Sequence, residues 1–257
     1  MIINGTNNAQ PLVSIITATY NSERFILQTF ESIKNQSYQN WEWIITDDCS
    51  KDSTVQILLA LQENEQRIKI YKNEENHGAA VSRNNSLKYA HGDFIAFIDS
   101  DDIWYPDKLE KQLAFMGTNI DFSFTSFEMI DEAGHPYNRI IDQNPLAPLD
   151  YKSMLKKTAT LGCSTVILRA SGFDEIKMPL IRTGQDYATW LRLLKTNKKA
   201  YLLPQVLTKY RIVKGSISRN KVKKALRQWE IYRSVEGINI ISSSYYFLHY
   251  ALKAVFR

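Results

Sequence analysis

Phe94-Ile95-Ala96-Phe97-Ile98-Asp99-Ser100-Asp101-Asp102 is the stretch of sequence that decides the fold. Its five apolar residues predict a buried strand, and three carboxylates follow within four positions. Because open α/β sheets bind ligands at the carboxyl ends of their strands, the acidic cluster lies where a ligand would bind. Crowded carboxylates repel one another, and a hard divalent cation such as Mg²⁺ or Mn²⁺ that bridges phosphate oxygens would neutralise them. The alternative is a solvated acidic turn that caps the helix near Pro106.

The composition favours a globular protein without a disulfide framework. A chain of 257 residues, 44% of them hydrophobic, can form one large α/β domain or a domain with an appendage. The net charge of +5 suits anionic partners but does not by itself indicate nucleic acid. Cys49 and Cys163 match no zinc spacing, which favours reduced thiols in a cytoplasmic protein. We expect neither a secretory signal nor a segment that spans a bilayer.

The order of apolar segments predicts the fold class. Strands alternate with helices in the first half, which indicates a parallel, Rossmann-like sheet. Connections are longer in the second half, so we expect a mixed sheet that extends the first half, followed by a helical tail. The predicted strands are 12–17, 41–46, 67–71, 94–98, 121–127, 138–141, 164–168 and 201–211, and the predicted helices are 23–34, 53–61, 79–90, 185–195 and 221–233.

Two turns of the first half could contact a nucleotide. Asp48, in the turn after the second strand, could accept a hydrogen bond from the N3–H of a uracil or thymine ring on which Tyr20 stacks. The alternative is a turn that caps the next helix. Gly78 permits a tight turn whose following amides could face a phosphate. Arg83, farther along that helix, points to the nucleotide or the acidic cluster, or holds the turn by a salt bridge.

Asp186 is the candidate for acid–base chemistry. It lies in the first turn of the helix predicted at 185–195, where the helix dipole keeps a carboxylate ionised. A rigidly held carboxylate can take a proton from an attacking hydroxyl. The alternative is an ordinary acidic residue at a helix N-terminus. Trp190, one turn later, packs in the core or lines the acceptor side.

Taken in order, five stretches of the chain resemble the family 2 glycosyltransferases of GT-A fold. Their order and spacing match over roughly residues 11 to 215, and the combination is specific although no single motif is. The stretches are 13–21, 47–52, 78–84, 99–106 and 185–192. The tail is similar to that of bacterial members that build capsular, teichuronic or O-antigen polysaccharides. The resemblance implies a glycosyltransferase domain at 1–215, with a nucleotide-sugar half at about 11–115 and an acceptor half at about 116–215, and a basic and aromatic tail at 216–257.

The resemblance also assigns roles to single residues. It implies that Tyr20 and Asp48 hold the base, Asp99 the ribose side, and Asp101 a Mn²⁺ or Mg²⁺ ion on the diphosphate. Asp186 would be the general base of an inverting transfer from a nucleotide-diphosphate sugar, UDP-linked by preference, to a saccharide acceptor that is lipid-linked through a polyprenyl diphosphate. The further residues that the resemblance places around the nucleotide are Thr17, Ala18, Asn21, Arg83 and Ser100.

The chain departs from the family pattern at a few positions. Ala18 stands where the family often has Pro, and Gln185 where it often has Glu. The Gln-x-x-Arg-Trp signature of processive synthases is missing, which favours transfer of one sugar per event over polymerisation.

The sequence is also compatible with two other functions and with two roles for the basic helix. A nucleotidyltransferase is the rival enzyme class, although the loop at 17–23 lacks the glycine and lysine that hold a triphosphate. A catalytically inactive nucleotide-sugar-binding subunit is a second alternative. The basic helix at 221–233 forms a solvated face or meets anionic lipid, with the aromatic residues at 245–250 inserted at the interface. The second option places the protein in the cytoplasm, peripheral to the inner face of the membrane.

Overall fold

The computed structural model describes residues 10–213 and 221–256. The strands are β1 (Val13–Thr19), β2 (Trp41–Asp47), β3 (Ile68–Lys72), β4 (Phe94–Phe97), β5 (Ile103–Trp104), β6 (Phe122–Ile130), β7 (Pro136–Ile141), β8 (Ile167–Arg169) and β9 (Tyr201–Arg211). The α-helices are α1 (Ile26–Lys34), α2 (Thr54–Asn64), α3 (Ala79–Leu87), α4 (Lys108–Met116), α5 (Tyr151–Leu155), α6 (Gln185–Leu194), α7 (Lys221–Glu230) and α8 (Ile240–Phe256).

One mixed sheet runs through the described part of the chain. Its strand order is β3-β2-β1-β4-β8-β6-β9-β5, with β7 paired to β6. The strands β1 to β4 are parallel, whereas β8 is antiparallel to both β4 and β6, and β9 returns parallel to β6. The predicted fold class, a Rossmann-like parallel half extended into a mixed sheet, is confirmed.

The central strands β1, β2 and β4 are buried on both faces, as the apolar run of β4 predicts. Val13 and Ile15 of β1 pack into a core with α1, α2 and α4, whereas Ile16 points to the opposite face and packs with α3 and α6. Trp190 of α6 is fully buried in this second core, with its ring 5.5 Å from that of Phe97. It therefore stabilises the core and does not line the acceptor side.

Several predicted boundaries shift by a few residues. The helix predicted from 23 begins at Ile26, and the strand predicted at 164–168 begins only at Ile167 because Cys163–Thr165 forms a 3₁₀ turn. β9 continues through Pro204 because its register with β6 shifts close to that residue, so the missing N–H breaks no regular ladder.

The segment after α7 packs into the core that contains α5 and α6. A π-helical turn, Ile231–Val235, follows α7, and its Tyr232 is fully buried and donates a hydrogen bond to the Leu155 carbonyl at 2.6 Å. The rings of Trp229 and Phe247 join α7 to α8, with centroids 5.6 Å apart. The predicted domain boundary at 215 lies outside the described residues. In the described ranges, no helix combines the length and the hydropathy needed to cross a bilayer.

Candidate functional site

A cavity of about 630 Å³ lies at the carboxyl edge of the parallel strands, between that edge, the start of α6 and the helix α7. It brings together several predicted site residues that are far apart in sequence, namely Tyr20, Asp48, Arg83, Asp99 and Asp186. The lining does not include the other predicted residues, which are Thr17, Ala18, Asn21, Ser100 and Asp101.

Asp102 anchors the acidic loop and is fully buried. Its carboxylate accepts hydrogen bonds from the Ser164 hydroxyl at 2.5 Å and from the Arg211 backbone N–H at 2.8 Å. Burial, reinforced by the charges of Asp101 and Asp99, raises its pKa well above the ordinary value. Asp102 is therefore a structural residue that fixes the loop, and it is not exposed to a ligand.

Arg211 at the end of β9 holds the same loop from the other side. Its Nε donates to the Asp101 carbonyl at 2.7 Å, and its guanidinium also reaches the carbonyl of Glu132 at 2.9 Å and the side chain of Gln28. No sequence motif predicts this role for Arg211. Its only signal in the sequence is a cation at the end of a predicted strand.

Asp101 lies close to the negatively charged carboxylate of Asp99. Burial and the neighbouring Asp99 raise its pKa to about 7. Within the described residues, no cluster of three or more His, Cys, Asp or Glu side chains could hold a metal by itself. Mg²⁺ is commonly bound by one or two carboxylates together with substrate phosphates, and Asp101 with Asp99 fits that kind of donor set.

Arg83 forms an ion pair with Asp99 across the floor of the cavity. The Arg83 guanidinium lies 2.5 Å from the Asp99 carboxylate, and the arginine side chain is almost fully buried. Of the directions that the sequence left open for the Arg83 side chain, the structure shows the one toward the acidic loop. Its Nε is buried and has no hydrogen-bond partner in the described structure.

Asp48 is 3% exposed and holds the loop before α3. Its carboxylate accepts hydrogen bonds from the backbone N–H groups of His77 at 2.9 Å and Gly78 at 2.7 Å, and from the Asn73 amide at 2.8 Å. An ionised carboxylate has about four acceptor positions, so about one remains for a ligand. Asp48 therefore has a structural role in addition to its place on the cavity wall.

The predicted nucleotide contacts near β1 divide into two groups. Tyr20 is 47% exposed and forms a wall of the cavity. Thr17 is fully buried: its hydroxyl donates to the Ile98 carbonyl at 2.9 Å and accepts from the Trp43 indole at 2.9 Å. Because both functions of the hydroxyl are used inside the core, a nucleotide contact through the Thr17 side chain is not supported.

Asn21 and Ser100 also support the loops around the cavity. Asn21 has a positive φ of 49°, and its side-chain carbonyl accepts from the Lys51 N–H at 2.8 Å. The Ser100 hydroxyl lies 2.7 Å from that of Ser22 and joins the acidic loop to the segment after β1. These residues shape the site from outside its lining.

Asp186 lies in the first turn of α6, as predicted, and faces the cavity. The helix begins after Gly184, whose φ is +72° and whose Cβ, if present, would lie 2.9 Å from Ile231 Cδ1. The positive φ favours glycine, and a Cβ would require the end of the Ile231 side chain to move. Gln185 beside it is 9% exposed, and its side-chain carbonyl oxygen has no hydrogen-bond partner in the described part of the chain.

The helix α7 supplies a basic wall of the cavity. From the sequence, its basic face was expected to meet solvent or anionic lipid. Side chains spaced three and four apart on α7 line the cavity, joined by Arg182 from the loop before α6. Arg227 donates to the Thr183 hydroxyl at 2.9 Å and so ties α7 to this loop. The lining residues of α7 are Lys223, Lys224, Arg227 and Gln228.

The chain matches a known family and several curated proteins. The model of the family described as "Glycosyl transferase family 2" matches residues 14–177. TuaG of Bacillus subtilis (strain 168), named as a teichuronic acid biosynthesis glycosyltransferase, is 44% identical over 251 residues, covering 96% of this chain and 98% of that protein. WfgD of Escherichia coli, named as a UDP-Glc:alpha-D-GlcNAc-diphosphoundecaprenol beta-1,3-glucosyltransferase, is 39% identical and covers 93% of this chain and 92% of its own length.

Solved structures share the fold at low sequence identity. TarS residues 1–349 of S. aureus, crystallised with UDP, has a TM-score of 0.67 and 22% identity, and the alignment covers 85% of this chain and 63% of that chain. The mannosyltransferase PcManGT from Pyrobaculum calidifontis, solved with GDP-Man and Mn²⁺, has a TM-score of 0.66 at 15% identity, over 93% of this chain and 70% of the other. At these low sequence identities, the two structures show that this chain shares their fold.

Proposed function

This chain belongs to glycosyl transferase family 2, and from that premise we propose that it moves one sugar from a UDP-linked donor to a lipid-linked saccharide in the synthesis of a bacterial surface polysaccharide. The observation that carries the proposal is the shared cavity, in which Asp99 at the end of β4 and Asp186 at the start of α6 line the same space. A donor bound at Asp99 and an acceptor bound at Asp186 would meet in this cavity.

The donor half of the cavity suits a nucleotide. Tyr20 offers an exposed aromatic face for the base, and the unused acceptor position of Asp48 suits the N3–H of uracil. Asp99, oriented by Arg83, would accept a hydrogen bond from a ribose hydroxyl. The choice of UDP draws support from the UDP bound to TarS and from the UDP-Glc in the name of WfgD.

A divalent cation, Mn²⁺ or Mg²⁺, completes the proposed site. Asp101, with Asp99, would hold it against the diphosphate oxygens. When bound there, the cation would stabilise the charge that develops on the departing nucleoside diphosphate. The raised pKa of Asp101, caused by burial and by Asp99, supports this role because two crowded carboxylates gain from a neighbouring cation.

Asp186 is the proposed general base. Asp186 lies in the first turn of α6 and lines the cavity as a carboxylate side chain. Through this carboxylate Asp186 would accept the proton of the acceptor hydroxyl while the hydroxyl oxygen attacks the anomeric carbon from the face opposite to the leaving group. Attack and departure on opposite faces invert the configuration, so an α-linked donor gives a β-linked product.

The acceptor is proposed to be a saccharide linked to a polyprenyl diphosphate at the inner face of the membrane. WfgD and WfaP, both similar to this chain, are named for such acceptors. One stripe of α8 is apolar and exposed, with Ile241 80% exposed, and it continues through Leu248 and Leu252. Lys156 lies 5.6 Å from the ring of Tyr245 on the same stripe, so a cation flanks the apolar surface. This combination suits peripheral contact with anionic lipid.

A donor screen tests the proposal. Purified protein is incubated with Mn²⁺, a panel of nucleotide sugars and a lipid diphosphate acceptor, and released nucleoside diphosphate is measured. We expect release with one UDP-sugar. Membership of the family argues against the nucleotidyltransferase alternative, whereas no release from any donor would favour the inactive binding subunit.

A further inference from the structure

The basic wall of the cavity has no role in the chemistry described above. It consists of Lys223, Lys224 and Arg227 on α7. We propose that it is a second diphosphate-binding subsite, which holds the diphosphate of the acceptor; this rests on the proposed function.

The position of α7 relative to Asp186 supports the acceptor as the source of that diphosphate. Arg227 Cγ lies 3.6 Å from the position that a Cβ on Gly184 would take, and Gly184 directly precedes the first turn of α6. The basic wall therefore begins beside the turn that carries Asp186. In a sugar diphosphate, one ring separates the attacking hydroxyl from the diphosphate. If the attacking hydroxyl of the acceptor is bound at Asp186, the acceptor diphosphate lies one sugar ring away from Asp186.

The proposed nucleoside contacts lie on other elements than the basic wall. Tyr20, Asp48 and Asp99 lie on loops that follow β1, β2 and β4, at the carboxyl edge of the sheet. The basic wall belongs to α7, which is docked through Ile231 against the loop before α6. Two subsites on different elements of one cavity would allow donor and acceptor to be bound at the same time, as a direct transfer requires.

The electrostatics of the wall suit an anion. Burial lowers the pKa of Lys224, and the like charge of Arg139 lowers it further. An anion bound beside Lys224 would offset this repulsion. Gln228, 5% exposed, lines the cavity next to the cations.

Binding of short probes tests the assignment without any turnover. Geranyl diphosphate is titrated calorimetrically into protein saturated with UDP and Mg²⁺, so that the donor site is already filled. The variant is Lys223→Gln/Lys224→Gln. The control is Lys88→Gln/Lys111→Gln, which removes the same charge from positions outside the cavity lining. We expect wild type and control to bind alike and the variant to bind at least about tenfold more weakly.

Affinity for UDP, titrated alone with Mg²⁺, separates the two sources of diphosphate. We expect it to change by less than about twofold in the variant. A parallel loss of UDP affinity would assign the wall to the donor and overturn the proposal, as would unchanged geranyl diphosphate binding or an equal loss in the control. Because none of these measurements requires transfer, they stand even if the donor screen finds no activity.

A second readout applies once a donor is known. With a GlcNAc-diphosphate lipid as acceptor, the variant should raise KM and leave kcat nearly unchanged. With an alkyl glycoside of the same sugar, which has no diphosphate, the variant and wild type should behave alike. An equal effect on both acceptors would contradict the subsite.

Discussion

Replacing Asp48 by alanine should affect the stability of the protein and its affinity for UDP by separable amounts. The carboxylate accepts two backbone hydrogen bonds from the loop before α3 and a third from the Asn73 amide. In the alanine variant these donors lose their partner in a place that is 3% exposed. The perturbation therefore tests whether Asp48 both builds the loop and offers its remaining acceptor position to a base.

The magnitude follows from the hydrogen bonds. A hydrogen bond to a charged group contributes about 1.5–3 kcal/mol, so the three together set an upper range of roughly 5–9 kcal/mol. Loop relaxation lets water reach part of the freed backbone, and we expect a net loss of about 3–5 kcal/mol in the free energy of unfolding. For a chain of this size that lowers Tm by about 10 °C. The lost contact to the base weakens UDP binding by about 1–3 kcal/mol, roughly 5- to 150-fold.

Urea unfolding and calorimetry with UDP, at a temperature where the variant is folded, measure the two effects. Asp52→Ala is the matched control, because Asp52 lies in the same turn and accepts hydrogen bonds from Thr54 but does not line the cavity. It should lose about 1 kcal/mol of stability and keep its UDP affinity. If Asp48→Ala costs less than about 1 kcal/mol, the proposed role of Asp48 in the loop is wrong. If its UDP affinity equals that of the control, the proposed base contact is wrong.

Three further changes have defined outcomes. Tyr20→Ala should weaken UDP binding by about 1–3 kcal/mol without loss of stability, whereas Tyr20→Phe keeps the stacking face and should bind normally in calorimetry. Chelator, or Asp101→Ala, should abolish turnover in the nucleotide-release assay, and full activity in excess chelator would exclude the metal role. Gly184→Ala should destabilise by about 1–3 kcal/mol in urea, because φ is +72° and the new Cβ would meet Ile231 at 2.9 Å; unchanged stability would show that the α6 start can relax.

The sequence predicts the parallel half of the fold well because its signals are local. The apolar run at 94–97 is a strand, and the acidic residues after it lie at the carboxyl edge of the sheet as expected. Asp186 also lies in the first turn of α6, as the helix pattern indicates. In each case the information is contained in one short stretch of chain.

The parts that the sequence did not predict depend on contacts between distant segments. Asp48 is buried because residues 73–78 return over it, and nothing in its own turn indicates this. Arg211 reaches the acidic loop from more than 100 residues away. An amphipathic pattern in α7 predicts a basic face but not the surface that the face meets, which here is the cavity. Hydrogen-bond partners that are remote in sequence leave no periodic signal.

The rate of sugar transfer by the Asp186→Asn variant tests the central claim most directly. The change is nearly isosteric, and Asn is acceptable near a helix N-terminus, so the fold should be kept. The transfer rate should fall by about 10²–10⁴-fold. UDP affinity and Tm, measured on the same preparation, should barely change, because the proposed nucleotide contacts are at Tyr20, Asp48 and Asp99. Near-normal transfer with normal UDP binding would contradict the account and remove Asp186 from the mechanism.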